Sequence, residues 1–172
     1  MTMTRDSGST RDELYTPEQR ARRDASGWTL VQGILAPLQF LAFAISVACI
    51  AHYLVTGDGY AGTTLSILVK TAFLYAIMVT GAIWEKVVFD RYLFAPAFFW
   101  EDVVSMGVIA LHTAYVVVLL MGNQGPGVEM AIAIAAYLAY VVNAAQFLIK
   151  FSLGRSDRSP SSDGQSAELG IG

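Results

Sequence analysis

The sequence contains a single cysteine and only two histidines among 172 residues. One cysteine cannot form an internal disulfide, so no disulfide framework is expected to hold this fold together. Cys49 lies within an apolar run, where its simplest role is that of a small buried hydrophobic residue. With so few nitrogen and sulfur ligands, we expect neither a transition-metal site nor a metal cofactor.

Several common enzyme signatures are also missing. The chain has no Gly-x-Ser-x-Gly motif, phosphate-binding loop, dinucleotide fingerprint or His-Glu-x-x-His motif. It has no basic patch, and its formal net charge is −3, so nothing indicates a nucleic-acid partner. Any chemistry is therefore expected to use carboxylates, amides, lysine, tyrosine and water.

Long hydrophobic runs dominate the chain instead. Hydrophobic residues make up 55% of the sequence and charged residues 15%, and most of the charges lie in residues 1–27 and 152–172. A helix of about 20 apolar residues crosses the hydrocarbon core of a bilayer. We predict an all-α polytopic membrane protein with four transmembrane helices. These cover about residues 28–54, 63–88, 102–121 and 128–151.

The eleven basic residues indicate how these helices are oriented. Only Lys70 lies well inside a span. Every other cation lies at the end of a span or beyond it, on one side, which the positive-inside rule identifies as cytoplasmic. Both termini and the connection 86–101 are therefore predicted to be cytoplasmic. The flanking cations are Arg5, Arg11, Arg20, Arg22, Arg23, Lys86, Arg91, Lys150, Arg155 and Arg158.

The two ends of the chain differ from its middle. Thr16, Pro17 and Gln19 have the spacing of a helix start, with Thr16 as the N-cap. Residues 1–27 are thus predicted to form a cytoplasmic segment that contains a short helix. Residues 28–151 form the four-helix membrane domain. The small, polar residues 152–172 are predicted to be a disordered cytoplasmic tail.

Polar side chains recur along the faces of three spans, mostly in the predicted cytoplasmic half. Hydrogen bonds between helices, worth about 1 kcal/mol each, would account for individual members. Their concentration in one leaflet favours a polar pocket open to the cytoplasmic side, because polar groups are costly in lipid. They are Gln32, Gln39 and Ser46 in the first span, Asp102, Ser105 and His112 in the third, and Asn143, Gln146 and Lys150 in the fourth.

Three ionisable residues lie near the middle of the membrane or near the surface opposite the predicted cytoplasmic side. Lys70 is either a snorkelling lysine near the opposite surface or a partner in an interhelical hydrogen bond. His112 lies near the predicted membrane middle, where a histidine is more often a hydrogen-bonded packing residue than a ligand of a pigment or metal. His52 lies near the opposite end of the first span and is a weaker candidate for ligation.

The segment AIWEKVVFDRYLFAPAFFWEDVVSM, residues 82–106, contains two Trp-Glu pairs on either side of an aromatic run. Most connections between helices are polar, and this one is not. Glu85 beside Lys86 could be an interfacial charge at a helix end. Glu101 and Asp102 could cap the third helix, because acids are favoured at a helix N-terminus. The alternative is a binding and catalytic role for these acids.

In four long blocks the sequence closely resembles the 3-vinyl (bacterio)chlorophyllide hydratases of bacteriochlorophyll biosynthesis. The blocks are LYTPEQRARRDASGWTLVQGILAPLQF, MVTGAIWEKVVF, LFAPAFFWEDVVSM and ALHTAY. The resemblance runs from about Leu14 to Phe151 and so covers the whole membrane domain. It implies a lyase of the photosynthetic inner (intracytoplasmic) membrane that acts on a chlorophyllide-type tetrapyrrole, with other pigment-biosynthesis enzymes as possible partners.

The resemblance also implies the reaction, in which water adds to the C3 vinyl group and gives a 1-hydroxyethyl group. Protonation of the terminal vinyl carbon leaves a cation on the adjacent carbon, which water then attacks. This chemistry needs a general acid and a proton acceptor, and it needs no redox cofactor. Two carboxylic acids at the ends of one connection could divide these roles.

We assign the roles as hypotheses about this sequence. Glu85 is the acid, and Glu101 or else Asp102 orients and deprotonates the water. Lys86 or Arg91 pairs with the propionate of the substrate. The further substrate-binding candidates are the amides Gln32, Gln39, Asn143 and Gln146, the aromatic residues Trp84, Phe98, Phe99 and Trp100, and His112.

Two other functions remain open at this point. The chain could be a non-catalytic pigment-binding or assembly protein, in which His112 ligates the magnesium of a chlorin. It could also be a carrier that passes chlorophyllide between enzymes. A hydratase would change the mass of the pigment by one water, whereas either alternative would leave it unchanged.

Overall fold

A computed structural model describes residues 14–156, which form five α-helices. The all-α prediction is confirmed, and four of the helices are long and apolar enough to cross a membrane. The short first helix precedes them. The helices are α1 (Pro17–Ala25), α2 (Gly27–Thr56), α3 (Tyr60–Phe89), α4 (Phe99–Met121) and α5 (Pro126–Ser156).

Local signals account for where the helices begin and turn. The predicted start of α1 is confirmed, because the Thr16 side chain accepts from the backbone of Gln19 and the Gln19 side chain accepts from the backbone of Thr16. Ser26 ends α1 and caps α2 through the Trp28 amide. The α2–α3 turn uses Gly57 at φ 76°, a left-handed conformation that glycine adopts without a steric cost.

The observed helices are longer than the predicted spans. The clearest difference is at α4, which begins at Phe99 rather than Asp102, so that Glu101 and Asp102 lie in its first turn. The connection between α3 and α4 therefore shortens to residues 90–98. Helix α5 continues beyond the predicted end of the fourth span, to Ser156. The rest of the predicted tail, residues 157–172, and the cations Arg5 and Arg11 lie outside the described residues.

The membrane helices form two antiparallel pairs. Helix α2 packs along α3 and α4 packs along α5, whereas α3 and α4 make few contacts with each other. Helix α1 lies against α3. The connectivity places α1, the 90–98 connection and Lys150 at one end of the bundle, hereafter the connection end. The α2–α3 turn and the residues between α4 and α5 lie at the far end.

Candidate active site

Two acidic side chains meet at the connection end. Glu85, near the end of α3, and Asp102, in the first turn of α4, are hydrogen-bonded to each other through their carboxyl groups. They are only 5% and 4% exposed. An ionised carboxylate has no donor, so a hydrogen bond between two carboxyl groups requires one proton between them. We call Glu85 and Asp102 the carboxyl pair.

The backbone of the 90–98 connection holds both members of this pair. The Phe94 amide donates to Asp102 Oδ2 at 2.6 Å, and the Ala95 amide donates to Glu85 Oε2 at 3.3 Å. Phe94 has a φ of 59°, which a bulky side chain rarely adopts. Such conformations persist where surrounding contacts impose them, often at functional sites. The acids thus fix the connection over the boundary between α3 and α4.

Glu101 is the immediate neighbour of Asp102 and has a different partner. It lies mostly buried and accepts from Lys150 Nζ at 2.8 Å, which ties α4 to α5. Lys150 also lies 5.0 Å from the centre of the Phe98 ring. Adjacent helical residues project about 100° apart, which explains why only one of these two acids reaches Glu85.

The aromatic residues of the segment divide into two groups. Trp84 and Phe98 belong to a packed cluster with ring centroids 5.8 Å apart in an edge-to-face arrangement. The Trp84 indole also donates to the Thr29 hydroxyl at 3.0 Å. Phe99 and Trp100 instead lie on the outer surface, 43% and 69% exposed. The other aromatic members of this cluster are Tyr15, Phe89 and Phe147.

The two predicted cations beside the connection have unequal surroundings. Lys86 donates to the Asp90 side chain at 2.6 Å and to the Asp90 carbonyl at 3.1 Å. The hydrogen bond from Lys86 lowers the pKa of the Asp90 carboxyl. The Arg91 side chain is exposed on the protein surface. Because Asp90 already balances Lys86, Arg91 is the better placed of the two to meet an anionic group.

The predicted amide residues are also unequal. Gln32 donates to the Thr80 hydroxyl at 2.7 Å, and Asn143 exchanges hydrogen bonds with the Ser105 hydroxyl. Gln39 is only 3% exposed, yet neither atom of its amide has a partner among residues 14–156. Within the same range, Gln146 Oε1 is likewise unpartnered. A buried amide without a partner costs free energy, so these two side chains are suited to bind a polar ligand group or water.

His112 lies away from the carboxyl pair, ten residues further along α4 and so about 15 Å distant along the helix axis. Its Nδ1 lies 2.8 Å from the Val108 carbonyl and therefore carries the proton. Its Nε2 then accepts from Lys70 Nζ at 2.6 Å. Lys70 is fully buried, so the hydrogen-bonding alternative describes it and snorkelling does not.

Lys70 and His112 are part of a buried polar cluster, hereafter the middle layer. The Lys70 ammonium lies 4.0 Å from the centre of the Tyr140 ring, and the His112 ring stacks on Tyr137. The Tyr137 hydroxyl donates to the Ser46 hydroxyl at 2.6 Å. These contacts join α3 to α4 and α5 to α2. Sequence analysis identified Lys70 and His112 separately, but nothing in the sequence indicated that the two side chains are bonded to each other.

Within the described part of the chain, no three histidine, cysteine, aspartate or glutamate side chains come together in an arrangement that could hold a metal ion. What the connection end offers is a carboxyl pair that shares a proton, the unpartnered Gln146 oxygen, an exposed arginine and an outward aromatic edge. Such a set can donate a proton, accept one and bind an amphiphilic ligand.

Comparison with known proteins gives consistent matches. A family model described as 2-vinyl bacteriochlorophyllide hydratase matches residues 15–153. The protein of that name from Cereibacter sphaeroides is 69% identical over 144 residues, which cover 84% of this chain and 89% of the relative. The protein of that name from Rhodobacter capsulatus is 64% identical over 145 residues, or 84% of each chain. No solved structure matches.

Proposed function

Because the chain belongs to the 2-vinyl bacteriochlorophyllide hydratase family, and is thus a multi-pass membrane hydro-lyase with a tetrapyrrole substrate, we propose that the carboxyl pair catalyses the hydration. Glu85 donates the proton and Asp102 accepts one from water. The observation that carries this proposal is the hydrogen bond between two buried carboxyl groups, which supplies one protonated and one ionised member in the same place.

The reaction has two steps at adjacent carbon atoms of the vinyl group (position 2 or 3, depending on the ring numbering). Glu85 transfers its proton to the terminal vinyl carbon, which becomes a methyl group and leaves a cation on the next carbon. The macrocycle delocalises this cation, and the two carboxylates face it. Water attacks the cation and loses a proton to Asp102. Each positioned acid or base contributes typically about 10²–10⁴ in rate.

The contacts of the two neighbouring acids favour Asp102 over Glu101 as the base. Glu101 is bound to Lys150 at 2.8 Å, which neutralises its charge and holds it toward α5. Asp102 faces Glu85 and lies on the α3–α4 boundary. Water deprotonated by Asp102 is therefore next to the carbon that Glu85 has just activated, whereas Glu101 would have to leave its cation first.

The surroundings of the carboxyl pair also indicate where the substrate binds. Helices α3 and α4 make few contacts with each other, so the α3–α4 boundary, on which the carboxyl pair lies, is a route from lipid to that pair. Phe99 and Trp100 line the outer edge of this route, and Arg91 pairs with the propionate of the ring. Gln146 binds the water or a ring carbonyl group, which would supply its missing partner. Gln39 lies twelve residues into α2, about 18 Å along the axis, so it is left to bind a part of the ring farther from the carboxyl pair.

The orientation and location of the protein follow the charge distribution. We place the connection end at the cytoplasmic surface because Lys86, Arg91 and Lys150 lie there with α1 and its arginines. The membrane is then the photosynthetic inner membrane, and other pigment-biosynthesis enzymes are its candidate partners.

A product measurement tests the function. Membranes that contain the protein are incubated with the vinyl substrate in isotopically labelled water, and the pigment is examined by mass spectrometry. We expect one added water that carries the label. A bound pigment of unchanged mass would support a carrier or pigment-binding protein instead. That alternative would require His112 to exchange Lys70 for a magnesium ion, because Lys70 occupies Nε2.

Variants then test the acid and base. Glu85→Gln and Asp102→Asn keep the size of each side chain and remove its proton chemistry. Glu129→Gln is the matched control, because Glu129 is also buried and bonded to a side chain, Tyr60, at the far end. Full hydration activity in both site variants, at normal protein levels, would overturn the assignment of the carboxyl pair.

A further inference from the structure

The surroundings of the carboxyl pair shield its shared proton. The Ala95 amide donates to Glu85, and the Phe98 carbonyl accepts from the Asp102 amide. Ala95 and Phe98, and Val88 one turn after Glu85, have almost no exposed surface. One oxygen of Glu85 and one of Asp102 accept from amides of the 90–98 connection, and the two carboxyl groups are bonded to each other. The shared proton therefore points from one carboxyl group to the other and not toward solvent.

The hydration leaves this pair in a state that the same bond can reset. Once Glu85 has given its proton to the vinyl carbon and Asp102 has taken one from water, the proton is on the wrong member of the pair. The two groups are in direct hydrogen-bonding contact, so a shift along that bond restores the starting state. A transfer between directly bonded carboxyl groups needs no conformational change and no entry of a second water.

We propose that Asp102 reloads Glu85 directly, so that the proton taken from one water molecule is delivered to the vinyl group of the next substrate without passing through bulk water. This inference rests on the proposed function. The cycle balances: an O–H bond of Glu85 breaks as a C–H bond forms, and a C–O bond forms as water loses a proton to Asp102. That proton then moves to Glu85. Substrate and one water give the alcohol, with no net change in the protein.

Trapping of the enzyme-bound proton tests the inference with the unmodified protein. Membranes are equilibrated in deuterium oxide and then diluted rapidly into ordinary water that contains the vinyl substrate. The reaction is quenched within the first turnover, and deuterium in the new methyl group is counted by mass spectrometry. Carbon-bound deuterium does not exchange during work-up. We expect close to one deuteron per active site, the number that one shared proton permits.

The outcomes separate this inference from the function it rests on. Hydrated product with no deuterium above the level of the diluted solvent would overturn direct reloading and leave the hydratase assignment intact. Absence of hydrated product would instead contradict the function. Product with a trapped deuteron supports both.

Asp102→Asn gives a second readout that a merely structural role would not produce. In this variant Glu85 can still deliver the proton it holds, but the amide can neither accept the proton of the attacking water nor return one to Glu85. We expect every turnover, including the first, to be slowed at least about tenfold, because a general base typically contributes that much or more. The first product should still carry the trapped deuteron. Hydration at the unmodified rate, in a variant that folds normally, would argue against reloading through Asp102.

Discussion

The protein contains two buried polar regions that differ in how they are held. At the connection end, the carboxyl pair is bonded to the backbone of an irregular segment, the 90–98 connection. In the middle layer, Lys70 and His112 are bonded side chain to side chain and are fully buried. The first arrangement leaves reactive groups beside a route from the lipid. The second consumes the hydrogen-bonding capacity of its members in joining the helix pairs.

The difference indicates that a buried ionisable side chain in a membrane helix is not sufficient to identify a site. Such residues are costly and are often functional. Here, the partners distinguish the two cases. A carboxyl group held by a loop amide and a second carboxyl group retains a proton to give. A histidine whose two ring nitrogens are both engaged does not have a free position for a ligand.

The largest effect is expected at Glu85. Glu85→Gln should lower the rate of hydration by about 10²–10⁴, because the amide cannot supply a proton to the vinyl carbon. Glu129→Gln should leave the rate unchanged, since its bond to Tyr60 lies at the far end of the bundle. The measurement is the initial rate of formation of the hydrated pigment, normalised to protein level. Equal losses in the two variants would remove the distinction between the carboxyl pair and other buried acids.

A loss of stability rather than of activity is expected in the middle layer. Lys70→Met leaves His112 Nε2 buried without a donor, which should destabilise the protein by about 1–3 kcal/mol. The double variant with His112→Leu should recover most of that loss, because no polar atom then remains unpaired. Thermal unfolding of each variant in one detergent measures the change in stability. The hydration rate of each variant measures whether activity is retained. A folded Lys70→Met protein as inactive as Glu85→Gln would place the middle layer in the active site.

Arg91 should affect substrate binding rather than the chemical step. Arg91→Gln removes the cation proposed to pair with the propionate and should raise KM by roughly tenfold, equivalent to about 1.4 kcal/mol, with kcat nearly unchanged. Lys86→Gln is the comparison and should have a smaller effect, because Lys86 is already bonded to Asp90. The reverse order of the two effects would show that Lys86 meets the substrate.

The smallest effect is expected at Glu101. Glu101→Gln retains an acceptor for Lys150 while removing the ion pair, so any loss should affect the contact between α4 and α5 and not the chemical step. Its hydration rate should stay within about threefold of the unmodified protein, a difference below 1 kcal/mol in the barrier. A loss comparable to that of Asp102→Asn would transfer the role of base from Asp102 to Glu101.

Much of the architecture could be predicted from local properties of the sequence. The number of membrane helices follows from the length of apolar runs, and the start of α1 follows from the spacing of Thr16 and Gln19. Glu85 and the Glu101–Asp102 dipeptide were also identified as candidate acids because they flank an aromatic connection. Each of these inferences depends only on residues close together in the chain.

What the tertiary structure alone decided is which of these side chains meet. It turned Asp102 toward Glu85 and Glu101 toward Lys150, divided the aromatic residues between an internal cluster and an outer edge, and joined Lys70 to His112. The physical reason is the rotation and relative height of neighbouring helices. Successive residues lie about 100° apart around a helix, so a small rotation exchanges one partner for another. That rotation is determined by packing between distant parts of the chain.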